Sequence, residues 1–397
     1  MKRLLIGSLG LGVALAVGAE PAPDTPPQYS AIDYFQRRLA TEKPLLAFPT
    51  DPAKVPAWRE QVVARLRTVL GLELSVPAPL NPRLLEVRRR DGYRVEHVVF
   101  TSEANVDVPG YVLIPEGVTA EHPAPAVLCL QGMVPGGKNE LTGETQNDPE
   151  AAAALEQFND DFARQLARAG FVTLSIDMRY DGERTYRAAQ DPFGLNNRGV
   201  ANQVAIEYAT WLGQSFYGLH LFDAQRALDY LLTRPEVIPR AVGCAGFSFG
   251  SQLAAWLGAM DRRVKVIALE GNWESLRRLA IRSFKDNNDR KDGKRQHQML
   301  KSTFQFLPGF LRYFDLNLTM AAAAPTPMVV SFETGRWQFH NKEEIDSDLA
   351  PFYGAYAGFG KPENLHLTQV AGDHYWRPDV ILPWFTTKLR HLAESRD

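Results

Sequence analysis

The five residues Gly246-Phe247-Ser248-Phe249-Gly250 fit the pattern G-x-S-x-G. A serine between two glycines suits nucleophilic attack when the chain turns sharply there and leaves the hydroxyl at the tip. The flanks predict such a turn. Residues 241–245 form a short apolar run that reads as a buried strand. Residues 251–260, rich in Ala, Leu and Trp, read as a helix. Glycine at 246 and 250 omits side chains that would collide where strand and helix cross. The helix start offers N–H groups and partial positive charge to a developing anion. The pentapeptide alone is a weak signal, but between a strand and a helix it predicts that Ser248 is a nucleophile. Such a serine needs a base, and the chain has eight histidines.

The elements that must position these groups are legible in outline. With 397 residues, 45% hydrophobic and 23% charged, the chain can bury a large core. Lys plus Arg number 44 against 46 for Asp plus Glu, so nothing points to nucleic acid as a partner. Cys129 and Cys244 are the only cysteines, which implies no disulfide framework and no zinc spacing. Both fall inside expected core strands and are expected to stay unpaired. Residues 32–39 and 57–70 have helical periodicity, with Trp58, Val62, Leu66 and Leu70 on one face. Residues 93–101 alternate as a half-solvated antiparallel strand, and 108–114 are its partner. Short continuous apolar runs follow at 126–130, 171–176, 241–245, 264–269, 328–332 and 365–370. Helices are expected between them at 151–169, 219–233, 251–260 and 380–391. Runs apolar on both faces and separated by helices predict a parallel sheet covered on both sides. The expectation is an α/β fold with an eight-stranded, mostly parallel sheet.

The N-terminus reads as a secretory signal. Met1-Lys2-Arg3 is basic, Leu4 to Val17 is apolar, and Val17-Gly18-Ala19 offers small residues before a cut ahead of Glu20. The apolar run is short for a membrane span of about 20 residues. The expected organisation is a signal peptide at 1–19, a mobile start and helical extension at 20–82, and one domain at 83–397. That domain carries excursions at 180–218 and 273–324. The mature chain is expected to be exported, with no stable membrane anchor.

The order of elements, with the serine turn after the fifth strand, resembles the α/β-hydrolase fold over about 93–392. Smaller motifs carry the resemblance further. They are Gly110-Tyr111-Val112-Leu113-Ile114-Pro115, Asp177-Met178-Arg179-Tyr180-Asp181-Gly182-Glu183-Arg184, and Arg234-Pro235-Glu236-Val237. Together with the leading helices, these are similar to secreted bacterial hydrolases of the acetyl-xylan-esterase-like group, related to dienelactone hydrolases.

The resemblance implies a chain order of Ser, then acid, then His. His374, in Gly372-Asp373-His374 after the last strand, is then the base; the other seven histidines fall on strand faces or polar segments. The usual place for the acid reads Glu333-Thr334-Gly335-Arg336, with Gly335 where relatives have Asp. Glu270, ending the run 264–269, is the preferred substitute, because an unpaired carboxylate leaving a core strand is costly. Glu333 is the second choice. The oxyanion hole is expected from the N–H groups of Phe249 and Met133, with Gln131-Gly132 where relatives commonly have His-Gly. Residues 286–293 superficially suggest a calcium loop, but the spacing fails. No metal and no cofactor are implied. The implied activity is a serine carboxylesterase acting on an acylated carbohydrate. A dienelactone-type or peptidase-type hydrolase and a non-catalytic binding protein of the same fold are the alternatives.

Overall fold

The computed structural model describes residues 30–133, 136–187, 189–271, 273–289, 307–333, 342–372 and 374–395. The expected signal peptide, the start of the mature chain and Gly335 lie outside them. The chain divides into two compact units, Met1–Glu42 and Lys43–Asp397. In the first, helix α1 (Ala31–Thr41) begins at Ser30, whose hydroxyl accepts the Asp33 N–H at 3.2 Å.

In the second unit, nine strands form one sheet among the described residues. They are β1 (Arg83–Arg90), β2 (Tyr93–Glu103), β3 (Val106–Pro115), β4 (Ala124–Leu130), β5 (Val172–Ile176), β6 (Val237–Phe247), β7 (Val266–Glu270), β8 (Met328–Glu333) and β9 (Leu365–Val370). Their order across the sheet is β1-β2-β3-β5-β4-β6-β7-β8-β9. Strands β4 to β9 pair parallel to one another, while β1, β2 and β3 are antiparallel. The expected eight strands become nine because β1 was not legible. It is an edge strand exposed on both faces, so no burial pattern marks it.

The helices are α2 (Val55–Leu70), α3 (Lys138–Thr142), α4 (Pro149–Phe158), α5 (Phe162–Arg168), α6 (Arg198–Trp211), α7 (Phe216–Leu231) and α8 (Phe249–Met260). They continue with α9 (Leu276–Asp289), α10 (Phe310–Tyr313), α11 (Leu316–Ala321), α12 (Lys342–Gly358) and α13 (Pro378–Glu394). The single helix expected at 151–169 is two, because Asn159 adopts a left-handed conformation (φ 54°) and ends α4. Trp58, Val62, Leu66 and Leu70 of α2 join the larger core together with Leu253 and Leu257 of α8.

Side chains alternate across the sheet as pleating requires. Cys244, Ile267, Leu269, Met328, Val330 and Phe332 enter that larger core. Ala245, Phe247, Val266, Ala268 and Val329 enter a second core on the opposite face, with Phe162 of α5 and Phe385 of α13. By the same alternation Glu270, Ser331 and Glu333 point to the second face, at the carboxyl ends of their strands. Cys129 and Cys244 are buried and unpaired.

Candidate active site

Strand β6 ends at Phe247 and α8 starts at Phe249, leaving Ser248 alone at the corner with φ 54° and ψ −116°. Positive φ is unusual for a residue with a side chain and persists only where the surroundings impose it. They impose it here by sterics and hydrogen bonds. A Cβ on Gly246 would sit 2.1 Å from the Gly250 carbonyl oxygen, and one on Gly250 would sit 2.0 Å from that of Leu130. The Ser248 N–H donates to the Glu270 carbonyl oxygen at 2.8 Å. The Ser251 hydroxyl donates to the carbonyls of Gly246 and Glu270, both at 2.9 Å. The corner is thus stitched to the neighbouring strand β7.

Two segments flank it. Phe249 is the first residue of α8. On the other side β4 runs into Gln131-Gly132-Met133, and a Cβ on Gly132 would lie 3.2 Å from the Ser248 Cβ. The side chain of Gln131 is buried and donates to Asp181 at 2.9 Å, joining the end of β4 to the segment after β5.

His374 lies flat on Phe247, with ring centroids 4.3 Å apart and planes 19° apart. Phe158 meets the imidazole edge-on at 6.1 Å. Its Nδ1 is 3.1 Å from Oε1 of Glu333, which is buried at the end of β8. A carboxylate only accepts, so Nδ1 carries the proton and Nε2 is the basic nitrogen.

The imidazole is therefore paired with Glu333, whereas the sequence favoured Glu270. The reason is strand order. His374 follows β9, whose direct neighbour is β8, while β7 lies one strand further away beside β6. Glu270 is also fully buried, and its backbone carbonyl serves the Ser248 turn. Glu333 seemed two residues short only by comparison with the usual pattern; as the last residue of β8 it already stands at the strand ends.

Several supporting residues were not read from the sequence. Lys138, at the start of α3, is fully buried and donates its backbone N–H (2.8 Å) and its ammonium (2.7 Å) to Asp177. Glu183 also takes the ammonium. Burial alone would lower this ammonium's pKa, but Asp177 and Glu183 hold it above its ordinary value. Asp181 is buried too, which pushes it up to about 7 despite Arg198. Charged residues just after two apolar runs were the available signal.

Of the aromatics in the excursion 180–218, Phe216 and Tyr217 are buried, while Phe193 and Trp211 are exposed. Among the described residues no group of three or more His, Cys, Asp or Glu could hold a metal ion. Among them, too, no helix is long and apolar enough to cross a membrane.

A sharp Ser corner after a central parallel strand, helices on both faces and a His after the last strand define an α/β-hydrolase fold. Residues 28–371 match the model of the Abhydrolase family, and the chain belongs to that family. It is 24% identical over 316 residues to the "Putative hydrolase YtaP" of Bacillus subtilis strain 168, covering 78% of this chain and 92% of that one. A "putative acetyl xylan esterase" from Bacteroides fragilis superposes with a TM-score of 0.70 at 22% identity, covering 86% of this chain and 83% of that one. A glucuronoyl esterase from Solibacter usitatus superposes with a TM-score of 0.52 at 16% identity, covering 84% and 91%.

Proposed function

We propose that the protein is an exported serine carboxylesterase that removes an acyl group from a carbohydrate. The observation that carries this reading is the positive φ of Ser248 at the N-terminus of α8, which puts its side chain at the tip of a sharp strand-to-helix corner. In the reaction, Ser248 Oγ attacks the acyl carbonyl while His374 Nε2 takes the hydroxyl proton. Glu333 stabilises the imidazolium through Nδ1. The N–H groups of Phe249 and Met133 receive the oxyanion. The C–O bond to the alcohol then breaks, and His374 returns the proton to the leaving oxygen. A water molecule, deprotonated by His374, attacks the acyl-enzyme; collapse restores Ser248 and releases the acid.

Carbohydrate ester as the substrate class is supported by the two structural neighbours, an acetyl xylan esterase and a glucuronoyl esterase. Export is supported by the composition of residues 1–19. The test is p-nitrophenyl acetate turnover with rapid acid quench. A burst of one equivalent and an acetyl mass increment on the peptide containing Ser248 are expected. Turnover with the label elsewhere, or no label and no turnover, overturns the reading. Sequencing the N-terminus of protein secreted by its host is expected to begin at Glu20.

A further inference from the structure

Gln131 follows β4, and its backbone is pressed against the Ser248 corner. A Cβ on Gly250 would lie 2.6 Å from the Gln131 carbonyl oxygen, and one on Gly132 would lie 3.2 Å from the Ser248 Cβ. Met133 comes two residues after Gln131, so a shift at Gln131 carries the Met133 N–H with it. The Gln131 side chain is fully buried. Its amide N–H donates to Oδ2 of Asp181 at 2.9 Å, while its Oε1 meets no hydrogen-bond donor among the described residues. The bond to Asp181 therefore orients the amide.

Asp181 is a firm anchor. It follows Tyr180, whose φ of 71° is a conformation that a residue with a side chain keeps only where its surroundings fix it. Arg179 and Arg184, on either side of it in the chain, both pair with the buried Asp223 of α7, at 2.9 and 2.8 Å. Arg179 also pairs with Glu103 at 2.6 Å, and the Arg184 guanidinium donates to the Asp177 carbonyl at 3.1 Å. Oδ1 of Asp181 takes the Arg198 guanidinium at 2.5 Å. Arg198 is the first residue of α6, where the helix dipole disfavours positive charge. Its pairing with Asp181 offsets that cost. Both Asp181 oxygens accept, which is the bonding pattern of a carboxylate.

We propose that Asp181 is a positioning residue for the oxyanion hole: braced by Arg198, its carboxylate holds the Gln131 amide and so sets where the Met133 N–H stands relative to Ser248. The proposal rests on the reading of Met133 as an oxyanion donor. Burial raises the Asp181 pKa, and Arg198 opposes that rise by favouring the charged form. Removing the carboxylate leaves the buried Gln131 amide without its acceptor, so the segment from Gln131 to Met133 loses its side-chain tie. Removing Arg198 leaves the acceptor in place and loosens it.

The test is steady-state turnover of p-nitrophenyl acetate by Asp181→Ala, Asp181→Asn and Arg198→Met. Removing an oxyanion donor outright costs about 10²- to 10³-fold in kcat, and misplacing one costs less. Asp181→Ala is expected to lose about 10- to 100-fold in kcat with KM within about twofold, because the donor acts on the transition state. Asp181→Asn keeps an oxygen for the Gln131 amide and is expected to recover most of that loss. Arg198→Met is expected to lose about three- to tenfold in kcat. The double variant of Asp181→Ala and Arg198→Met is expected to be no worse than Asp181→Ala, because the two residues act in series.

Should Asp181→Ala fold poorly, Arg198→Met, altered at a partly exposed side chain, gives the same kcat test. Amide hydrogen exchange reads the grip on Gln131 without turnover, so it tests the proposal even if the esterase reading fails. A peptide covering 128–133 is expected to exchange faster in Asp181→Ala and Arg198→Met than in the wild type, and one within α13 at an equal rate. An unchanged kcat in the folded variants, a loss confined to KM, a double variant worse by the product of the two single losses, or unaltered exchange at 128–133 would overturn the proposal.

Discussion

The Ser248 corner and the His374–Glu333 pair are built in opposite ways. The corner is largely local, built from Gly246, Ser248, Gly250 and Ser251, with contributions from β7 through the Glu270 carbonyl and from the end of β4 through Leu130 and Gly132. The histidine is held from a distance. Glu333 comes from β8, Phe247 from β6, and Phe158 and Asn159 from the α4–α5 corner. The corner's geometry leaves no room for a Cβ at 246 or 250, where one would come within about 2 Å of backbone oxygen. The imidazole's geometry follows from several weaker contacts, each replaceable at moderate cost. One region is therefore expected to fail outright when altered and the other to weaken by degrees.

Removing the nucleophile is the largest break. Ser248→Ala is expected to lower kcat/KM by about 10⁴- to 10⁶-fold with an unchanged melt, and normal turnover would disprove the assignment. Next, Glu333→Gln is expected to cost about 10³- to 10⁴-fold in kcat with little change in KM, and Glu270→Gln less than about tenfold. Steady-state kinetics of both variants side by side decide the matter; the reverse ranking would return the acid to Glu270.

Gly250→Ala tests the corner's steric rule. Its new Cβ must displace the Leu130 carbonyl, and a loss on the order of 2 to 4 kcal/mol in denaturant unfolding is expected. An unfolding midpoint equal to wild type would show the contact to be soft. The smallest effect belongs to Phe247→Leu, which removes the ring beneath His374. Aromatic stacking of about 0.5 to 1.5 kcal/mol translates into a loss of kcat of about two- to thirteenfold, with the fold retained. A larger loss than that of Glu333→Gln would invert the comparison.

The same contrast governs what was legible in the sequence. The Ser248 turn was readable because its causes lie within a few residues and glycine marks each close approach. Strands β4 to β8 were readable because burial on both faces leaves continuous apolar runs. The order of those strands is not written in any local pattern, and the choice between Glu270 and Glu333 depended on it. Both are acids at the end of an apolar run, and only adjacency of β8 to β9 separates them. Strand β1 escaped for a different reason: Leu84, Leu85 and Val87 are exposed along with their charged neighbours, so neither face carries a burial signal. Asn159, left-handed at the end of α4, was the local clue to the break between α4 and α5.

That exposed edge has a consequence for the molecule in crowded solution. β1 is eight residues long and lies at the margin of the sheet, where its outer N–H and C=O groups could template growth onto a second molecule. Three exposed aliphatic residues would make such growth favourable. The charged side chains of Arg83, Glu86, Arg88, Arg89 and Arg90 oppose it, because pairing a second molecule on this edge would strip them of water. Arg88 and Arg90 are also tied inward to Glu144, each with a contact of 2.6 Å. The margin thus carries its own colloidal protection, set by the water that its charged side chains would have to give up.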